Sequence, residues 1–124
     1  MTRSGVSLYP NIRGDKVEVQ SIASEIHEAS KRLSKGSDAL FILAKASAET
    51  EQAYRSALGR DIVKLKLEGM SVTLIADIAR GNTSELKFNR DLAEARYVSG
   101  RDSLKAISAQ INALQTVVKY VSEV

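Results

Sequence analysis

Apolar residues recur along this chain in steps of three and four, the spacing that gathers side chains on one face of a helix. From Val19 they fall at Val19, Ile22, Ile26, Ala29 and Leu33, which predicts a first helix over about 16–34. "SKGSD" then reads as a break. Gly36 suits the left-handed residue that ends a helix, and Ser37 or Asp38 suits the cap of the next. A second helix over about 38–68 presents Leu40, Leu43, Ser47, Thr50, Tyr54, Leu58, Ile62 and Leu65. Gly59 inside it signals a bend or a close neighbour. The third helix, about 83–122, has the most regular seam: Leu86, Arg90, Ala93, Tyr97, Gly100, Leu104, Ile107, Ile111, Leu114, Val118 and Val121. Such a heptad rhythm marks a coiled-coil contact, and about forty residues rising 1.5 Å each make a rod of roughly 60 Å.

Between the rods stands "EGMSVTLIADIARGNTSE". Gly69 ends one helix. Val72, Leu74, Ile75 and Ile78 form a buried plug on a corner helix of about 72–80, and Gly81 releases it. Asn82 or Thr83 then caps the third helix, with Glu85 in capping-box position. The expected fold is all-α: a long antiparallel helical hairpin with a short corner helix and an extra N-terminal helix, coiled-coil-like and oligomeric. Residues 1–14 read as a flexible arm and 15–124 as a single helical domain.

Oligomerisation is expected because helix three is apolar on two adjacent faces. Beside the seam lie Ala106, Ala109, Ala113, Val117 and Tyr120. The predicted interface is Leu104, Ile107, Ile111, Leu114, Val117, Val118, Tyr120 and Val121.

Composition narrows the function classes. With 44% apolar but only 5% aromatic residues and one proline in 124, the chain suits aliphatic helix packing. It has no cysteine, so disulfides and thiolate chemistry are excluded. The first residues lack a secretory apolar core and no window is apolar enough to span a membrane, which points to the cytoplasm. A net charge of +3, with acids and bases interleaved along helices two and three, describes a solvated surface and not a nucleic-acid stripe.

Two segments, "EGMSVTLIADIARGN" and "LKFNRDLAEARYVSG", carry Glu68, Gly69, Thr73, Leu74, Ile75, Asp77, Ala79, Arg80, Gly81, Arg90, Asp91, Ala93, Glu94, Ala95 and Tyr97. In these residues the chain resembles a family of small helical accessory proteins of phages and prophages of Gram-positive bacteria. The likeness covers roughly 50–105 and leaves out the arm and first helix. It implies a phage origin and an accessory role, in the cytoplasm of a host cell, without an agreed activity.

Little in the sequence nominates a catalyst. His27, the only histidine, sits between Glu25 and Glu28 without the second His that a zinc helix needs. No nucleophile–base pairing stands out. No enzyme, cofactor or metal is expected. The candidate site is instead an anion seat in "ARGNTSE": Arg80, Gly81, Asn82, Thr83 and Ser84 at the opening of helix three, with Lys87 one turn along, and Arg90 and Tyr97 beyond. The bland alternative is a capped helix. Arg90, a charge in a seam, calls for a carboxylate, and Asp61 or Glu94 is the expected partner. Alternatively Arg80, Lys87, Arg90 and Tyr97 line a pocket for a phosphate-bearing nucleotide. The expected function is a non-enzymatic phage protein that counters host defence, by sequestering a small nucleotide signal or blocking a defence protein. The alternative is an accessory factor in phage DNA replication or recombination with weak nucleic-acid binding.

Overall fold

A computed structural model describes residues 12–122 of the chain, with side chains described for 18–122. Among the described residues all regular structure is helix: α1 (Ile12–Leu67), α2 (Val72–Asn82) and α3 (Ser84–Ser122), with α1 and α3 packing together. Of the arm expected over 1–14, residues 1–11 lie outside the described residues. Ile12 to Gly14 are already helical.

The two helices expected over 16–34 and 38–68 are one helix of 56 residues. "SKGSD" does not break it, because the contact rhythm runs through Gly36 without a slip. Ala29 is buried, and Leu33, Gly36, Leu40, Leu43, Ser47, Thr50 and Tyr54 are each half-buried along one stripe. Gly36 is small for a reason of packing. A Cβ there would overlap the Leu104 Cδ2 methyl of α3. Glycine weakens a helix by about 1 kcal/mol relative to Ala, which is a cost and not a stop when a neighbour fills the space.

The contacts divide the chain into two units. The first joins α1 up to Gly36 with α3 from Leu104. Here Ile22, Ile26 and Leu33 face the same seam as Ile107, Ile111, Leu114 and Val118, and all are half-buried. Only Ala29 is fully covered, and the Arg32 Nη2 donates to Gln110 Oε1 at 3.3 Å. Two helices alone leave the flanks of the other seam residues wet.

The second unit, Ser37–Ser103, adds α2 and with it a true core. Leu65, Ile75 and Ala79 are buried, with Leu58, Ile62, Met70 and Ile78 packed around them. The end of α1 is closed by a Schellman motif. Gly69, at φ 81°, donates to Lys66 O, and Met70 donates to Leu65 O while its side chain packs against the cluster that includes Leu65. The plug differs from the expected one. Ile75, Ile78 and Ala79 form the inner face, whereas Val72 and Leu74 are 80% and 53% exposed. Val72 opens the helix, and Leu74 lies about a quarter turn off the face that Ile75 and Ala79 share.

Within this unit α3 runs antiparallel to α1. Asn82 Nδ2 donates to Asp61 Oδ2 at 3.0 Å, Arg90 meets Glu51, and Gly100 receives Leu43 and Leu40. Gly59, by contrast, is exposed, and the space a side-chain methyl would fill there is open.

Candidate functional site

The segment expected to open α3 mostly closes α2 instead. Gly81 and Asn82 are the last residues of α2. Thr83 alone separates the two helices, and its backbone N–H donates to Ala79 O at 3.1 Å. Its hydroxyl also donates to Ala79 O, at 2.7 Å, so this 4%-exposed side chain is satisfied locally. Ser84 Oγ donates to Gly81 O and Lys87 N to Thr83 O. The Asn82 amide goes to Asp61 and not to a capping box with Glu85. A near-continuous backbone thus takes up the Thr83 N–H, one of the donors expected of the anion seat. Arg80 pairs with Asp77 at 3.1 Å, and Lys87 with Asp91 at 3.6 Å.

Arg90 stands in the seam, with its side chain 21% exposed. Its expected partner Asp61 is engaged by Asn82, and it makes no ion pair with Glu94, its other expected partner. It binds Asp91 through Nε and Nη2 at 3.0 and 2.9 Å and reaches Glu51 at 3.5 Å. Its guanidinium also lies 4.6 Å from the centroid of the Tyr54 ring, within cation–π range. The register explains the exchange of partners. Asn82 is level with Asp61, and eight residues further along α3 lie opposite a point about eight residues back along α1, near Glu51 and Tyr54. The Asp91 carboxyl is held below its ordinary range, first by the hydrogen bond from Arg90 and then by its charge. The same bond raises the Arg90 pKa.

Glu51, Tyr54 and Asp91 are therefore the residues that sequence reasoning missed around Arg90. Counting turns back from a known α1–α3 pair would have found the first two.

Beside Arg90 an open groove of about 730 Å³ runs between α1 and α3 in the second unit, with Ser47, Glu51, Arg90, Glu94, Tyr97 and Arg101 on its walls. It brings Arg90 and Tyr97 together as expected. Arg80, Asn82, Thr83, Ser84 and Lys87 are not on it. Asn82 and Thr83 line a smaller hollow of about 260 Å³ with Arg60, Asp61, Lys64 and Leu86. In the larger groove Arg90 is held by two carboxylates, and Arg101 lies 3.6 Å from Asp102. The Glu94 and Tyr97 side chains hold no hydrogen bond or ion pair among the described residues. The groove can thus offer a ring face, a phenol and a carboxylate to a bound molecule, with cations already partly neutralised.

The predicted interface residues fall into two sets. Leu104, Ile107, Ile111, Leu114, Val118 and Val121 are half-buried, whereas Val117 and Tyr120 are 44% and 73% exposed. Among the described residues no three His, Asp or Glu side chains gather as a metal site would need, and no helix is long and apolar enough to cross a membrane. No family model matches the chain, and neither a curated protein nor a solved structure matches it.

Proposed function

We propose that this chain is a non-enzymatic binding protein that works as a homo-oligomer, and that it serves a phage in the cytoplasm of an infected bacterium by occupying a host defence factor or a small nucleotide signal. The observation that carries the reading is incomplete burial. Among the described residues no large side chain is fully buried, and the aliphatic seam of the first unit is half-covered everywhere but at Ala29. A chain built this way gains most from further helices laid against it, its own or a partner's.

The remaining features support binding more than chemistry. Described ion pairs sit at exposed or half-exposed positions: Lys31–Glu28, Arg80–Asp77 and Lys87–Asp91 are all in open solvent. Catalytic groups need positioned, partly desolvated neighbours. The groove beside Arg90 and Tyr97 is where a planar ring could stack and a phosphate meet an arginine, provided the ligand displaces Asp91 or Glu51 from it. The same pairing of cations with acids reduces the free positive charge that a DNA backbone would use.

The test is calorimetric titration with a cyclic dinucleotide, ADP-ribose and a single-stranded oligonucleotide, each at low and high salt. Salt-tolerant binding of one small nucleotide, lost in Tyr97→Ala, supports sequestration. Silence to all three, with a host protein retained specifically by immobilised chain from infected cells, supports blocking. Salt-sensitive binding of the oligonucleotide alone would overturn the proposal in favour of the replication role.

A further inference from the structure

We infer that the first unit pairs with a second copy of itself about a twofold axis at the level of Ala113, α3 antiparallel to α3 and α1 antiparallel to α1, closing a four-helix bundle. This rests on the self-association proposed above and gives it a geometry.

Two independent patterns on one flank of the unit point to the same axis. The first is shape. Ala106, Ala109, Ala113, Val117 and Tyr120 are all exposed and follow one another in steps of three and four, forming a second strip beside the seam. Across the run 106–118, between Lys105 and Lys119, α3 carries no charge at all. Exposed helix faces without charge are uncommon unless something covers them. An antiparallel copy centred on Ala113 sets Tyr120 against Ala106 and Val117 against Ala109, large opposite small on both sides of the axis. Alanines at such positions let helix backbones approach closely.

The second pattern is charge. Over residues 18–35 of α1, past Arg13, Asp15 and Lys16 at its start, the acids come first, Glu18, Glu25 and Glu28, and the bases follow, Lys31, Arg32 and Lys35. The Arg32–Gln110 hydrogen bond fixes where this helix lies. It sets α1 near residue 30 level with α3 near residue 112, and it brings the strip of Glu18, Glu25 and Arg32 to the flank that bears Gln110. A twofold axis at Ala113 therefore crosses α1 near Ala29, between the acidic and basic halves. Reversed on its copy, Glu25 faces Arg32 and Lys35, and Glu28 faces Lys31. Glu28 and Lys31 already meet within one chain at 3.4 Å, both exposed, so either partner is within reach. An isologous contact requires self-complementarity of this kind, and sign reversal at the same level as the steric centre is what the geometry demands.

The area suffices. About nineteen residues of each helix give a face roughly 28 Å long and 20 Å wide, so pairing would bury on the order of 1,100 Å² over the two copies, just above the roughly 1,000 Å² that a specific interface needs. The gaps flanking Ile107, Ile111 and Leu114 would close in the same step.

The chain has no cysteine, so the axis can be tested by cross-linking the full-length protein. Ala113→Cys places a thiol beside its own copy, and mild oxidation should yield a linked dimer about tenfold faster than Asn112→Cys, an exposed neighbour on the other flank. A mixture of Ala109→Cys and Val117→Cys chains should link to one another faster than either links to itself. This second readout holds even if the first substitution disturbs packing. Equal rates at 112 and 113, or no preference in the mixture, would overturn the axis. Sedimentation of the unaltered protein separates the two proposals: an oligomer without these cross-links sinks the geometry alone, whereas a monomer sinks the self-association as well.

Discussion

Gly36 and Gly59 lie in the same helix, yet replacing each by alanine should move stability in opposite directions. At Gly59 an added methyl meets no atom within 4 Å. The substitution therefore gives the plain helix-propensity gain, about 0.8–1.0 kcal/mol, or roughly 3–5 °C in Tm for a chain of this length. At Gly36 the same gain is opposed by the Leu104 methyl, which occupies the place of the new Cβ. Leu104 must swing away or the helices must part, and overpacking of this kind typically costs about 1–3 kcal/mol. Gly36→Ala should therefore lower stability, by about 1 kcal/mol at the centre of that range. A cycle makes the claim sharp. Leu104→Ala removes the obstruction at a cost of about 1–2 kcal/mol, less than for a fully buried leucine. In that background Gly36→Ala should turn stabilising and match Gly59→Ala. The assay is urea unfolding followed by circular dichroism at one fixed protein concentration, since association shifts the midpoint. If Gly36→Ala has the same effect with and without Leu104, the two residues do not share a space and the register drawn through them is wrong.

Further outcomes follow from other parts of the fold. Ile75→Ala removes a 5%-exposed side chain from the three-helix core and should cost about 2–4 kcal/mol in the same assay, whereas Val72→Ala, at an 80%-exposed position, should stay within about 0.5 kcal/mol. Gly69→Ala forces an L-residue to a φ of 81° and should cost about 1–2 kcal/mol, the strain of the left-handed region. Asp91 has its carboxyl held low by Arg90, so its contribution is fully present above the unfolded value of about 3.9 and is lost as pH falls through the lower folded value. Thermal melts should therefore show wild type above Asp91→Asn near neutral pH, with the gap shrinking on acidification below about pH 4.

How much of this was legible differs from element to element. The α3 seam was fully readable: all eleven positions from Leu86 to Val121 are half-buried, because a long helix with one neighbour writes its contact face directly into its apolar spacing. Gly69 was readable too, as a glycine one turn past the last seam residue Leu65, and it takes the left-handed φ of 81°. Gly36 was not. Locally it has the chemistry of a helix end, and only the large residue on the opposing helix shows that it is a socket. The partner of Arg90 was misjudged for a similar reason. Pairing between distant helices depends on where α3 starts, and Thr83 carries so short a link that Asn82 finishes α2 and sits opposite Asp61. The expected anion seat loses a donor on the same point, because free backbone donors require a true helix opening, and the Thr83 N–H is spoken for. The ligand proposed for the groove is written in neither the spacing nor the charge pattern, since Arg90 and Tyr97 on its walls are also seam positions.

The proposed function rests on the half-open aliphatic edge of one copy being covered by another. Sedimentation equilibrium at micromolar concentration measures this directly. A mass at a multiple of 13.5 kDa is the result expected. A single 13.5 kDa species that stays folded across the whole range would contradict it.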